Sequence, residues 1–174
     1  MSATGSGEPA AAASGWRWLP LSGAIVVADQ LVKLWMVQHF APFERLRVLP
    51  VLDIVLTYNT GAAFSVLAGS ASWVRWLFVA VALGVSAALI LWLRRLPARL
   101  HAWLACGLAL IVGGALGNML DRLRLGRVVD FVYLHWGEHY FPAFNVADSA
   151  ITVGAAVLLL DVWRESRVAR NPDR

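Results

Sequence analysis

The sequence predicts an all-α membrane protein: four transmembrane helices, with a small β-rich element and an amphipathic segment on the outer face. Three observations lead there. Of 174 residues, 59% are apolar and only 15% charged, and the mean hydropathy is +0.64. A soluble domain is nearer half apolar and a quarter charged. The apolar residues fall in four long stretches, each close to the ~20 residues that a helix needs to cross ~30 Å of hydrocarbon. Trp16, Trp18, Trp35, Trp73, Trp92, Trp103 and Trp163 lie near the ends of those stretches, where interfacial anchoring places them.

Taken in order, Ser2 to Gly15 are small and polar and read as a disordered tail, leaving residues 16–174 as a single four-helix domain. The first span, Trp18 to Val37, carries Asp29 and Lys33 and has no small-residue cleavage site after it, so it is a retained span rather than a signal peptide. In the first outer loop, Val48 to Tyr58 mixes β-branched and aromatic residues, with Pro50 near its start, and then meets Asn59-Thr60-Gly61. That pattern predicts one or more short strands ending in a turn. The second span is Trp73 to Leu93 and the third Ala102 to Leu120. Gly113 and Gly117 of the third form a small-xxx-small pair, a packing device that lets another helix approach closely. A second outer loop holds Asp130 and then an amphipathic interfacial segment with Trp136 and Tyr140. The fourth span is Phe144 to Trp163.

The net charge is +4 and the isoelectric point near 10.0, and Lys33 is the sole lysine among 15 basic residues. The arginines read as anchors at span ends, and no basic run is long enough for a nucleic-acid patch. Cys106 is the single cysteine, which excludes a disulfide framework and a cysteine metal cluster. It lies mid-span and reads as a buried inert thiol. The connection between spans two and three holds Arg94, Arg95 and Arg99 and no acid, and the C-terminal tail adds Arg164, Arg167, Arg170 and Arg174. This bias places both termini in the cytoplasm.

With that topology, every unusual polar residue falls at the outer face: Asp29 and Lys33, Asn59, then Asn118, Asp121 and Arg122, then Asp130, Asn145 and Asp148. Ionisable groups at membrane depth are costly and mark functional sites by default. Asp29 and Lys33 are four apart on a helix and pair as ions. The pairing counts against a serine/lysine protease, whose lysine must be neutral, because a neighbouring carboxylate favours the charged form. Asp121 and Arg122 either anchor the end of a span or brace a site. Asn118, one turn earlier, suits hydrogen bonding in a polar pocket. His135 and His139 have helical spacing able to hold a metal, but no third ligand and no His-Glu-x-x-His motif accompanies them, so no metal is expected.

For Asp130 or Asp148 alone, a helix-terminal or loop carboxylate is a sufficient account. Together, flanked by Phe131, Phe144 and Asn145 on one face, they form a candidate dyad. Two like charges held close share one proton and act as acid and base on one water.

At these residues the chain resembles the bacterial lipoprotein signal peptidases (signal peptidase II), a family of four-span aspartyl proteases. The resemblance is carried by five motifs in order. They are Asp29-Gln30-Leu31-Val32-Lys33, Asn59-Thr60-Gly61-Ala62-Ala63-Phe64, Gly117-Asn118-Met119-Leu120-Asp121-Arg122, Val129-Asp130-Phe131 and Phe144-Asn145-Val146-Ala147-Asp148. It implies that Asp130 and Asp148 are catalytic, that Asn59, Gly61, Asn118, Asp121, Arg122 and Asn145 line or brace the site, and that Asp29 and Lys33 support it. It implies a monomer in the bacterial cytoplasmic (inner) membrane, without a cofactor, whose site lies near the outer, periplasmic face. The implied substrate is a prolipoprotein with a diacylglyceryl-modified lipobox cysteine, cut just before that cysteine. The implied inhibitor is a globomycin-type cyclic peptide wedged between the aspartates. Gly61 to Phe64 and Trp136 to Phe141 are expected to close over the substrate. Three alternatives fit less well. A presenilin-like protease lacks its Gly-x-Gly-Asp segment here. A proton-coupled transporter would place polar residues on both sides of the midplane. A non-catalytic membrane assembly factor would tolerate Asp→Asn changes.

Overall fold

The computed structural model describes residues 15–61, 72–96 and 102–170. The expected tail up to residue 14, and residues 62–64 of the expected closing loop, lie outside the described residues. Gly15, the last residue of that tail, begins a 3-10 turn (Gly15–Trp18), and its N–H donates to Leu96 O at 3.0 Å. Four helices follow: α1 (Leu19–His39), α2 (Ser72–Arg95), α3 (Ala102–Leu125) and α4 (Val146–Arg170). All four are long and apolar enough to cross a membrane.

Two boundaries move from their expected places, each for a local reason. The third helix continues past Leu120, so Asp121 and Arg122 lie within it. It stops where Gly126 turns left-handed (φ 74°) and donates its N–H to Arg122 O, a common glycine stop. The fourth begins at Val146 instead of Phe144 because Asn145 caps it.

α3 is the most buried of the four and packs against the other three. Its small residues permit this: Gly113 lies against Ser22 and Ile25 of α1, and Gly114 against Ala147 and Ile151 of α4. The outward faces of α1, α2 and α4 leave Leu31, Leu83 and Leu159 exposed. Continuous apolar surface on this scale is unfavourable in water and suited to hydrocarbon. The protein is a multi-pass membrane protein.

A four-stranded antiparallel sheet covers one end of the helices, in the order β1 (Arg45–Leu49), β2 (Leu52–Asn59), β3 (Val128–Trp136) and β4 (His139–Tyr140). The expected strand region is the β1–β2 hairpin, turning at Pro50 and Val51. β3 was expected as loop. Its partner β2 lies far away in sequence, and pairing of that kind leaves no local signature. The expected helical spacing of His135 and His139 does not occur either. Gly137 (φ 58°) closes a tight β3–β4 hairpin, with His135 opposite Tyr140 and Trp136 opposite His139. Trp136 and Phe141 remain exposed, on a hairpin instead of a helix. Met36 of α1, Leu56 of β2, and Val129 and Phe131 of β3 form a buried cluster that seats the sheet on α1 and beside Val146.

Candidate active site

The site is built around the start of α4. Asn145 is its N-cap: Oδ1 accepts the Asp148 N–H at 2.9 Å, while Asp148 Oδ2 accepts the Asn145 N–H at 3.3 Å. This reciprocal arrangement is a capping box, which satisfies two helix-terminal donors at once. It also fixes the Asp148 carboxylate at the helix entrance. The Asn145 amide reaches the other way and donates to Asp130 Oδ1 at 2.7 Å, with Val129 O at 3.2 Å and Asn118 Oδ1 at 3.0 Å also in reach. One asparagine therefore touches both candidate acids, Asp130 from the sheet and Asp148 from the bundle. Asn118 of α3 completes the ring by donating to Asp148 Oδ1 at 2.7 Å.

Behind this ring, Lys33 is the hub. Its ammonium donates to Asn118 Oδ1 at 2.9 Å and pairs with Asp29 at 2.8 Å and Asp121 at 2.9 Å, all three groups being buried. The two carboxylates then hold backbone. Asp29 Oδ1 accepts the Ala147 N–H at 2.9 Å, and Asp121 Oδ2 accepts the Val129 N–H at 3.0 Å. Ala147 and Val129 are the residues immediately before Asp148 and Asp130. A single buried cation thus joins the backbone anchors of both acids. Gly117 makes room for this arrangement, since a Cβ there would sit 2.8 Å from Asp29 Oδ2. Sequence reasoning gave Gly117 helix packing alone.

Gln30 was not singled out from the sequence, yet its amide reaches Asp29 Oδ2, Asp121 Oδ1 and Gly117 O. The available signal was a second polar side chain beside Asp29 within an apolar span. Arg122 donates to Asn118 O at 3.3 Å, lies over the Phe78 ring at 4.7 Å, and is within electrostatic reach of Asp148 and Asp130. Gly61 has a left-handed backbone (φ 92°), and a Cβ there would come within 2.7 Å of the same Phe78 ring. Both demands favour glycine. Asn59, at the exposed end of β2, accepts the Gly61 N–H with Oδ1 at 2.8 Å, and its side chain is close enough to Asp130 to help hold that carboxyl down.

Asp130 is 1% exposed, and its carboxyl is raised from 3.8 to about 6. Burial is the largest cause and the Asp148 charge adds to it, while the Asn59 and Asn145 side chains and the Lys33 charge pull the other way. A cavity of about 510 Å³ opens onto Asp148, lined otherwise by Leu134, Phe141, Phe144, Ser149, Thr152 and Val153. It is a mainly apolar recess with one carboxylate at its wall. Among the described residues, no group of three or more His, Cys, Asp or Glu side chains is placed to hold a metal ion.

Comparison with known proteins identifies the setting. The family described as signal peptidase (SPase) II matches residues 21–164. The chain belongs to the signal peptidase II family. Proteins named lipoprotein signal peptidase are 51% identical to it in Pseudomonas putida KT2440, over 87% of this chain and 88% of the relative. A second, from Pseudomonas aeruginosa UCBPP-PA14, is 51% identical over 86% and 89%. Two solved bacterial membrane enzymes superpose with TM-scores of 0.74 and 0.75, at 27% and 26% identity, covering 84% and 86% of this chain. In this signal peptidase II chain the five motifs named from the sequence meet at one end of the bundle, as far as their residues are described.

Proposed function

We propose that the chain is an aspartyl endopeptidase that removes the signal peptide from diacylglyceryl-modified prolipoproteins, cutting just before the lipidated lipobox cysteine. The observation that carries this reading is the Asn145 bridge, which holds Asp130 and Asp148 together beside an apolar cavity. The pair holds one proton. The ionised carboxylate takes a proton from water as its oxygen attacks the scissile carbonyl carbon. The protonated partner donates to the carbonyl oxygen, giving a neutral tetrahedral diol. A proton then passes to the amide nitrogen, the C–N bond breaks, and the signal peptide leaves with a new carboxyl group. The cysteine becomes the new N-terminus. No covalent intermediate is formed.

Membrane placement follows the same reading. Both termini lie in the cytoplasm, and the site faces the outer side of the cytoplasmic membrane. A lipidated substrate then arrives laterally, with its acyl chains kept in hydrocarbon while the peptide bond meets the dyad. The protein acts as a monomer, and a globomycin-type cyclic peptide would compete by wedging between the aspartates. Asn59, Gly61, Asn118, Asp121, Arg122 and Asn145 line or brace the pair, and Asp29 and Lys33 hold the braces. The purified protein, offered matched precursors with and without diacylglycerol, should release from the modified one a product beginning at the lipidated cysteine. Mass spectrometry of the products reads this directly, and preferential cleavage of the unmodified precursor would overturn the substrate assignment.

A further inference from the structure

Asp53 plays no part in the chemistry above, yet it is completely buried in the sheet. It sits on β2 and gathers partners from the strands on both sides. Arg45 of β1 bonds its carboxylate through Nε and Nη2, Arg47 lies 3.8 Å away, and His135 Nε2 of β3 lies at 3.3 Å. The Arg45 guanidinium also lies over the Tyr133 ring at 5.5 Å and the ring of Tyr140 in β4 at 5.3 Å. Tyr140 in turn packs on His135 and on Tyr133. One carboxylate thus anchors a cluster that runs through all four strands. Burial works to raise the Asp53 carboxyl, but Arg45, His135 and Arg47 outweigh it and hold the group below the ordinary carboxylate range. Asp53 is therefore an anion at neutral pH, and the clamp is lost only in acid.

The far end of this cluster matters for the site. β4 has only two residues, and a two-stranded hairpin is marginal in water without further support. Leu134 and Phe141, which flank the hairpin, are joined by the Phe141 N–H to Leu134 O bond and line the cavity that opens onto Asp148. The same two residues line a second cavity of about 500 Å³ with Val51, His135, Trp136, His139 and Tyr140. The two recesses therefore meet at a wall held in place from behind by the Asp53 cluster.

We propose that Asp53, acting through Arg45, His135 and Tyr140, is a positioning residue for substrate capture: it fixes the hairpin that walls the approach to Asp148. The proposal rests on the peptidase reading above. The cluster's contacts run to the hairpin and, among the described residues, not to Asp130 or Asp148, so its effect falls on KM and not on kcat. Asp53→Asn, Arg45→Gln and the double variant, assayed on the lipidated precursor, should each raise KM by about fivefold or more with kcat within about twofold. The double variant should be no worse than the worse single one, because a unit broken once is not broken again. Arg45 is partly exposed, so its variant remains informative if Asp53→Asn fails to fold. An unchanged KM in Arg45→Gln, a kcat loss at constant KM, or effects that multiply in the double variant would overturn the clamp. Amide hydrogen exchange across residues 134–141 gives an arm independent of catalysis. Faster exchange in Arg45→Gln is expected, and unchanged exchange overturns the clamp even if the wild type cleaves nothing, a failure that would bear on the peptidase reading alone.

Discussion

At Asp130, burial and charge oppose each other within one side chain. A carboxyl raised from 3.8 to about 6 makes the folded protein lose stability as pH climbs between those values, because the folded state releases its proton later than the unfolded state. The rise corresponds to about 3 kcal/mol at most, less what solvent and relaxation return. Asp130→Asn removes this cost while leaving an oxygen for Asn145 to donate to. Its thermal midpoint in detergent at neutral pH should therefore exceed that of the wild type, even as activity is lost. A lowered midpoint would mean that the ionised carboxylate is stabilising. The same raised value sets a pH dependence. On the proposed mechanism a carboxyl raised to about 6 keeps its proton below that value and loses it above, so kcat/KM should fall with rising pH with unit slope. A profile flat across neutral pH would contradict a shared proton. Both aspartates were legible in the sequence because acids are conspicuous among apolar neighbours. Asp53 stands among apolar neighbours too, Leu52 and Ile54, but its partners come from β1 and β3 and are brought to it only when the strands pair.

Among the elements, α1 and the start of α4 organise the site. α1 contributes Lys33, whose ammonium joins Asp29 and Asp121, and through them the backbone before each candidate acid. Lys33→Met would leave two buried carboxylates without their cation, and breaking a buried pair in this way typically costs about 3–5 kcal/mol. The melting temperature should drop, and kcat should fall more than KM rises, because both anchors relax together. Loss of KM alone in that variant would show that the hub serves binding instead. The i, i+4 spacing of Asp29 and Lys33 announced their ion pair, and the four hydrophobic stretches announced the helices. Asp121 as a third partner was hidden, since it depends on how α1 packs on α3. β3 was hidden for a related reason. Hairpin β1–β2 has local turn residues to reveal it, whereas β3 is defined by a partner brought close only when the helices assemble.

For the whole molecule, the consequence is a division of labour between bundle and sheet. The helices supply Asp148, Asn118 and the buried ion cluster, the sheet supplies Asp130, and Asn145 joins them where the two meet. The recess beside Asp148 is mainly apolar, which suits the lipid-anchored substrate proposed above. The central claim is that both acids act on one bond, and the most direct measurement is cleavage of a diacylglyceryl-modified prolipoprotein by the wild type, Asp130→Asn and Asp148→Asn under identical conditions. Each variant should remain folded and lose at least about 10²-fold in rate, the scale of a removed general acid or base. Cleavage by either variant at a rate near that of the wild type would contradict the dyad.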